Sequence, residues 1–221
     1  MRTKFLLTLA MLLAACMPAA ARAESDAGAA SFYPWSGYWW PHSDGGMNKP
    51  LKKYDQFTGA RAAEWEAQNH NLAADAPSWH GYCHAWSAAS VTEKEPKAGR
   101  TVTGAAEVSF GVGDQKALLC GLHTDDIAHT WGQRYSGASS DKNDIKPDEL
   151  WALLQSHVKQ QKIPLVLDLE AGAEVWNYPV YQYRIDYHDA GNGWSNGTMQ
   201  LVAADDDGQL DHVGSDDWID S

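Results

Sequence analysis

The spacing of apolar residues predicts a helix in the second half of the chain. Leu150, Leu153, Leu154 and Val158 recur at i, i+3, i+4 and i+8, which places them on one face of a helix. Pro147 suits the first position of this helix, because a backbone N–H there would have no helical partner. Helix-forming composition predicts further helices over residues 61–68, 83–90 and 115–122.

Strands are predicted mainly in the last third of the chain. Residues 163–169 form a largely apolar run, and apolar and polar residues alternate over residues 175–187. Turn residues at 190–193, followed by a second apolar run at 199–203, predict an antiparallel pair. An earlier strand is predicted over residues 101–110. Helices first, then mixed elements that end in an antiparallel pair, favour the α+β fold class.

The N-terminus has the pattern of an export signal. Basic residues within positions 1–4 precede an apolar stretch at residues 5–15, which is too short to span a membrane. Ala21-Arg22-Ala23 is a small-residue cleavage site, so residues 1–23 are predicted to be a signal peptide. Leu13-Ala14-Ala15-Cys16 equally resembles the lipobox of bacterial lipoproteins, in which Cys16 would carry a lipid. The first interpretation predicts a secreted or periplasmic protein, and the second an outer-membrane lipoprotein.

The mature part of the chain is predicted to hold one domain with two polar flanks. Residues 24–31 are small and polar and predict a linker. Residues 32–204 contain the predicted helices and strands and form the domain, and residues 205–221 are predicted to be a mobile acidic tail. The aromatic patch at residues 32–41 has two interpretations: packing over the core, or a platform on which carbohydrate stacks.

Composition and charge exclude several classes of function. Of the 221 residues, 44% are hydrophobic, which is enough to bury a core. A net charge of −12 without a basic cluster argues against charge-driven binding of nucleic acid or anionic lipid. Contact with a membrane is therefore expected only through a lipid on Cys16. The chain has no paired-Cys zinc spacing and no glycine-rich phosphate loop, so no metal or cofactor is expected.

The segment at residues 79–89 carries the clearest candidate chemistry. Small and aromatic residues after Cys83 suit a helix that begins at this residue, and the positive end of a helix favours a thiolate. Gly81 permits a backbone to approach closely, and N–H groups at the same turn can stabilise an oxyanion. Thiol acyl-transfer enzymes use this arrangement, among them the papain-like and transglutaminase groups. The alternative is a structural disulfide between Cys83 and Cys120, although Cys120 lies in an apolar helical stretch typical of a core.

Three segments match motifs of one known family. Trp40-Pro41 followed by Gly45-Gly46 is similar to W-P-x-x-x-G-G. Residues 79–89 are similar to the nucleophile segment W-x-G-x-C-x-[GA]-W-x-x-A. Residues 174–180 are similar to a V-W-N-Q-P-V motif, with Tyr178 in place of Gln. Over residues 39–187 the chain thus resembles the transglutaminase elicitor family of oomycete plant pathogens and its bacterial relatives.

The resemblance implies one transglutaminase-like catalytic domain that needs no cofactor. Cys83 would attack a protein Gln side chain, release ammonia and pass the resulting thioester to an amine such as Lys. The partners would then be proteins with accessible Gln and Lys side chains. Trp79, Trp86 and Trp176 would line the substrate site and exclude water from it.

The base and the orienting carboxylate are chosen from the sequence context. His129 precedes Thr130-Trp131-Gly132, an enclosed stretch downstream of the nucleophile, and is predicted to be the general base, with His188 as an alternative. Asp168 lies inside an apolar strand, where a carboxylate needs a partner, and is predicted to orient the base. The alternative for Asp168 is an acid that satisfies the backbone at the strand end.

Two other functions remain open at this point. A thiol hydrolase of the same architecture, either a deamidase or a peptidase, would use the same nucleophile and differ only in its acceptor. A catalytically inactive, Trp-rich module that binds cell walls or glycans would use the aromatic surface alone. The reactivity of Cys83 separates the enzymes from the binding module.

Overall fold

A computed structural model describes residues 23–70, 72–133, 144–169 and 172–220 of the chain. Residues 1–22 of the predicted signal peptide, which include Cys16, lie outside the described residues. Cleavage after Ala23 and lipidation of Cys16 therefore stay predictions. Within the described part, no helix is long and apolar enough to cross a membrane.

Along the chain, the helices lie between the first strand and the later strands of the large sheet. They are α1 (Asn48–Thr58), α2 (Ala62–Asn69), α3 (Cys83–Thr92), α4 (Val112–Leu122) and α5 (Pro147–Leu154), which continues as a π-helix over Gln155–Gln161. A short 3-10 turn occupies His42–Asp44. The predicted helices at 61–68, 83–90 and 147–158 are confirmed, and α4 begins three residues before the predicted start at residue 115. The apolar spacing does not predict α1, which has Pro50 buried in its first turn.

The large sheet is antiparallel throughout and is built around a long hairpin. β5 (Asn177–Gly191) and β6 (Trp194–Ala204) form the hairpin, and β7 (Asp217–Asp220) pairs with the outer side of β6. On the other side of β5, β4 (Leu165–Asp168) and β1 (Glu24–Ala29) pair with successive parts of the same strand. Helices combined with an antiparallel sheet confirm the predicted α+β class.

The predicted single strand at residues 101–110 is wrong, because this segment is a hairpin. β2 (Arg100–Thr103) and β3 (Glu107–Phe110) pair with each other in a separate two-stranded sheet. The small residues between them close the turn, where the N–H of Gly104 donates to the carbonyl of Ala106 at 3.0 Å. A Cβ on Gly104 would lie 2.4 Å from the carbonyl oxygen of Phe57 in α1, so glycine permits the hairpin to pack on that helix.

Two hydrophobic clusters form the core. One joins α3 and α4 to the N-terminal aromatic segment and includes Trp35, Trp40 and Trp86. The other packs α5 and its π-helical extension onto the sheet, with Leu154 and Val158 fully buried as the helical stripe predicts. Packing is therefore the role of much of the aromatic patch at residues 32–41, although its first residues remain exposed.

The predicted linker at residues 24–31 is wrong. Residues 24–29 form β1, which pairs in register with β5 from Glu24 opposite Tyr187 to Ala29 opposite Gln182. The reason is Asp26, which is 8% exposed and accepts hydrogen bonds from four side chains of the sheet and of the helix packed on it. Small, polar residues are compatible with this strand because its inward-facing acid has partners.

The predicted mobile tail at residues 205–221 is also wrong. Residues 205–216 cross the first hydrophobic cluster, and β7 adds to the edge of the sheet. Tyr38 forms an isolated bridge with Asp207, and Asp206 is only 2% exposed. The acidic composition suggested solvation, but the backbone of this segment is hydrogen bonded to the segment at residues 36–37.

Candidate active site

The thiol of Cys83 lies at the beginning of α3. Cys83 is the first residue of this helix, after Tyr82 at the N-cap, and is 5% exposed. This confirms the predicted helix start. A group in this position experiences the positive end of the helix and the unpaired N–H groups of its first turn.

The segment at residues 175–177, which leads into β5, covers the thiol. Sγ of Cys83 donates to the carbonyl of Val175 at 3.6 Å, and Nδ2 of Asn177 donates to Sγ at 3.6 Å. Burial raises the pKa of the Cys83 thiol, whereas hydrogen bonds from the backbone and side chain of Asn177 and from the backbone of His84 oppose that rise. Burial prevails and the thiol pKa lies above its ordinary value, so the thiol keeps its proton near neutral pH.

A buried carboxyl group completes the neighbourhood of the thiol. Asp206 is 2% exposed, and its Oδ2 has no hydrogen-bond partner among the described residues. Burial, together with the negative charge of Asp205, raises the pKa of Asp206 to about 7. Asp206 also lies close enough to Cys83 for its charge to contribute to the raised pKa of the thiol. A carboxyl group that titrates near neutrality beside a thiol is suited to accept and return a proton.

A buried hydrogen-bond network supports the start of α3 from the other side. The hydroxyl of Tyr82 bonds to Glu66 of α2 and lies 2.7 Å from Nδ1 of His70, which is itself 2.9 Å from Glu66. The His42 ring stacks on His70 at 5.8 Å between ring centroids. Burial and the neighbouring His70 lower the pKa of His42, so a neutral ring is favoured there. This network fixes Tyr82, the residue directly before the thiol.

The predicted base is not placed against the thiol, whereas the predicted orienting acid, Asp168, lies opposite Asn177 in the pairing of β4 with β5. His129 is exposed and packs its ring against Trp131 at 4.5 Å, and it is not among the groups that act on Cys83. Asp168 is the exposed last residue of β4 and accepts a hydrogen bond from the backbone N–H of Trp176 at 3.0 Å. That contact matches the alternative role, an acid that satisfies the backbone at a strand end. The alternative base, His188, is exposed on β5.

The three predicted substrate-site tryptophans have three different environments. Trp86 is fully buried in the first hydrophobic cluster, so it is a core residue and cannot contact substrate in this structure. Trp79 is half-buried and packs edge-on against His80 at 4.3 Å. Trp176 is half-buried, packs edge-on against Trp39 at 5.1 Å, and stands between the two residues that contact the thiol. Trp176 is thus the predicted tryptophan whose neighbours on both sides in the sequence contact the thiol.

Cys120 behaves as a structural residue. Both Cys83 and Cys120 are free, so the alternative of a disulfide between them is not realised. Cys120 is completely buried in α4, and that burial raises the pKa of its thiol far above its usual range. An inert core thiol is the result.

Gly81 serves the protein's own packing. The sequence predicts that Gly81, two residues before Cys83, lets the backbone approach a bound acyl group. In the structure the protein itself makes this close approach, because a Cβ on Gly81 would lie 2.7 Å from the carbonyl oxygen of Trp39. The N–H of Tyr82 donates to that same carbonyl at 2.6 Å. Glycine therefore lets residues 39 and 81 touch, which brings the aromatic segment against the nucleophile helix.

Sequence reasoning missed two residues of this site. Asn177 belongs to the W-N-x-P-V motif, but its role depends on its approach to the thiol and is not visible in the sequence. Asp206 lies in the segment at residues 205–221 that the sequence predicts to be a mobile tail. The sequence does hold a signal for the burial of Asp206. This residue lies two positions after Ala204, which is buried at the end of β6, and in extended chain residues two apart point to the same side. In the described residues, no group of three or more His, Cys, Asp or Glu side chains is arranged to hold a metal ion.

Comparison with known proteins identifies a family for this chain. The profile of the transglutaminase elicitor family matches residues 54–196, which include Cys83 and Asn177. The chain belongs to the transglutaminase elicitor family. The fold is similar to that of the crystal structure of the GP42 transglutaminase from Phytophthora sojae, with a TM-score of 0.58 and 18% sequence identity, over 86% of this chain and 78% of the other. No curated protein sequence matches this member of the family significantly.

Proposed function

We propose that this member of the transglutaminase elicitor family is an exported protein-glutamine acyltransferase in which Cys83 is the nucleophile. The observation that carries the proposal is the buried thiol at the N-terminus of α3, in contact with Asn177 and under the charge of Asp206. Family membership favours acyl transfer over other thiol chemistry. The partners are proteins with accessible Gln and Lys side chains.

In the first half-reaction, Sγ of Cys83 attacks the carboxamide carbon of a Gln side chain. The thiol proton passes to the carboxylate of Asp206, which can both accept and return a proton near neutral pH because burial raises its pKa to about 7. The amide of Asn177 and the first N–H groups of α3 stabilise the oxyanion. The carbon–nitrogen bond breaks, the leaving nitrogen takes the proton from Asp206, and ammonia departs from the thioester.

In the second half-reaction, an amine such as that of Lys attacks the thioester carbon. Asp206 accepts the proton that the amine loses and returns it to the departing sulfur of Cys83. An isopeptide bond forms and the free thiol is restored. Trp39 and Trp176, which pack beside the segment that covers the thiol, exclude water and so favour the amine over hydrolysis.

Export is part of the proposal. Cleavage after Ala23 would release a chain that begins at Glu24, the first residue of β1, so that the mature N-terminus is a strand of the sheet. A lipoprotein would begin at Cys16 and tether the same domain to the outer membrane. Mass spectrometry of secreted and membrane fractions distinguishes these two forms, and a mature protein that retains Met1 would contradict export.

The decisive experiment measures incorporation of a labelled primary amine into a Gln-containing protein. Cys83→Ser should abolish incorporation, because a hydroxyl in this place is far less acidic and less nucleophilic than a thiol. Cys120→Ser is the matched control, since it changes the second buried Cys by the same atom. It should keep most of the activity and lose a little stability. Equal loss in both variants would contradict the assignment of Cys83.

The same experiment separates the alternative functions. Ammonia release without amine incorporation would identify a deamidase, and cleavage of the polypeptide would identify a peptidase. Absence of all three activities, with a Cys83 thiol that does not react with iodoacetamide, would favour a binding module. A His129→Ala variant tests the other candidate base, and its inactivity would replace Asp206 by His129 in the scheme.

A further inference from the structure

A short segment lies between the nucleophile helix and the strip of chain that carries Asp206. Ser36 in this segment is fully buried. Its hydroxyl donates to the carbonyl of Asp216 at 3.0 Å and accepts hydrogen bonds from the N–H groups of Asp216 at 2.7 Å and Asp205 at 3.3 Å. One hydroxyl thus fixes both ends of the strip at residues 205–216.

Backbone hydrogen bonds repeat the same connections. The N–H of Ser36 donates to the carbonyl of Gly214 at 2.9 Å, and the N–H of Gly37 donates to the carbonyl of Asp205 at 3.1 Å. Asp206, the next residue, is held by these bonds through its neighbour. Without the hydroxyl, the N–H of Asp216 would lose this acceptor, whereas the N–H of Asp205 would keep its bond to the carbonyl of Asp216 at 3.1 Å.

A buried lysine strengthens this arrangement. The ammonium group of Lys116 in α4 donates to the carbonyl of Ser36 and to the carbonyl of His212, and it pairs with Glu95 at 3.0 Å. It also lies 4.8 Å from the ring centroid of Trp35. Burial lowers the pKa of Lys116, while its hydrogen bond with Glu95 opposes that effect. These contacts hold the backbone carbonyl of Ser36 in addition to the bonds that its hydroxyl makes.

The other face of the segment rests on the nucleophile helix. A Cβ on Gly37 would lie 2.3 Å from the indole nitrogen of Trp86, so the backbone of Gly37 is in direct contact with that ring. Trp86 stands about one turn after Cys83 in α3. Residues 36 and 37 are therefore the spacer between the helix that carries the thiol and the strip that carries the acid.

We infer that Ser36 is a positioning residue, whose hydroxyl sets Asp206 in place against Cys83. This inference rests on the proposed role of Asp206, and it adds to it a residue that touches neither the thiol nor the substrate. The titratable groups that act on Asp206 are Asp205 and Asp207 in its own strip, and Cys83 of α3 lies close enough for the charge of Asp206 to act on it. Loosening the strip should admit water and let the carboxyl titrate closer to its ordinary range.

The test measures the rate of Cys83 alkylation by iodoacetamide between pH 4 and 10, in the full mature chain. In the unaltered protein the profile should contain an inflection near pH 7 from Asp206. Ser36→Ala should move this inflection toward lower pH by about half a unit or more. It should also reduce kcat for amine incorporation by roughly ten- to a hundredfold, with little change in KM.

Ser90→Ala is the matched control. Ser90 is also a buried serine, and its hydroxyl bonds only to the carbonyl of Ser87 within α3. An unchanged inflection in Ser36→Ala, or an equal shift in Ser90→Ala, would overturn the inference. If Ser36→Ala does not fold, Ser36→Cys replaces it, because it keeps the volume and loses most of the hydrogen-bond strength.

A double variant separates positioning from general loosening. In the background of Asp206→Asn, Ser36→Ala should leave the alkylation profile unchanged, because the group through which it acts is gone. A further shift in the double variant would overturn the inference. If alkylation follows the expected pattern while amine incorporation is absent from the unaltered protein, the positioning role stands and the transferase function fails.

Discussion

Asp26 and Asp206 are two buried carboxyl groups with opposite environments. Asp26 accepts hydrogen bonds from Trp151, Gln155, Lys159 and Tyr183. Burial alone would raise the pKa of Asp26, but these four donors outweigh it and hold the pKa well below its usual range. Asp206 is more deeply buried and has an oxygen without a partner, and its pKa rises to about 7.

The difference separates a structural acid from a reactive one. Asp26 is permanently charged at physiological pH and fixes β1 to β5 and to the helix packed on the sheet. The ionised form of Asp206 is disfavoured, because few hydrogen-bond donors replace the water that burial removes from the carboxylate. The fold stabilises the carboxylate of Asp26, which serves as an anchor, and leaves that of Asp206 poorly solvated, as the proposed role of Asp206 in proton transfer requires.

The largest expected effect comes from Asp206→Asn. Removal of the proton acceptor should lower kcat/KM for amine incorporation by about 10²- to 10⁴-fold, because that is the range general-base catalysis contributes. Folding should be preserved, since the amide has the same shape without the buried charge. Asp148→Asn is the control, because it removes an exposed carboxylate that is not among the groups acting on Asp206. Full activity in Asp206→Asn would remove the contrast between the two acids.

The corresponding change at the other acid should affect folding. Asp26→Asn replaces a carboxylate by an amide, whose nitrogen cannot accept the hydrogen bonds that the surrounding donors make. We expect a loss of about 2–5 kcal/mol in the free energy of unfolding. Chemical denaturation measures this loss. The folded fraction should keep its activity per molecule. Asp186→Asn is the control, because Asp186 is exposed and its pair with Arg184 on the surface contributes little.

The two acids should also change the free energy of unfolding with pH in opposite directions. The pKa of Asp206 is raised from 3.8 to about 7 on folding, so its contribution to stability is present below pH 4 and is lost as the pH rises to about 7. Relative to Asp206→Asn, the unaltered protein should lose at most about 4 kcal/mol across this interval. Asp26 has the opposite sign, and its contribution is lost as the pH falls below about 4. Parallel stability curves for the unaltered protein and Asp206→Asn would refute the raised pKa.

Trp176 lies between the residues that contact the thiol and should have a smaller effect. Trp176→Ala removes a half-buried ring that packs on Trp39, with an expected cost of about 1–2 kcal/mol in unfolding free energy. The value of KM for the protein substrate should rise more than kcat falls. Trp194→Ala serves as the control, because Trp194 is 75% exposed at the end of the long hairpin. A stable variant with wild-type kinetics would exclude Trp176 from the site.

The smallest effect is expected at His129. Its ring is exposed and packs on Trp131, so His129→Ala should change the free energy of unfolding by less than about 0.5 kcal/mol. The rate of amine incorporation should stay within about twofold of the unaltered value. A large loss of kcat in this variant would transfer the role of base from Asp206 to His129.

Much of the scaffold follows from local patterns in the sequence. The start of α3 at Cys83, the buried stripe of α5 and the hairpin of β5 and β6 all agree with the spacing of apolar residues and the turn signals. The family motifs likewise identify the nucleophile segment and the segment that covers it. Each of these features depends on residues within a few positions of one another, so the sequence displays them directly.

The partners of the acids were decided by tertiary structure. Asp26 and Asp206 both occur in polar stretches that locally resemble a linker and a tail. Pairing of β1 with β5 brings donors from the far half of the chain to Asp26, and the contacts of Ser36 bring Asp206 to Cys83. The pKa of a carboxyl group depends on burial and on the donors around it, which are set by long-range contacts. The sequence alone therefore determined where the thiol stands, and only the fold determined which acid faces it.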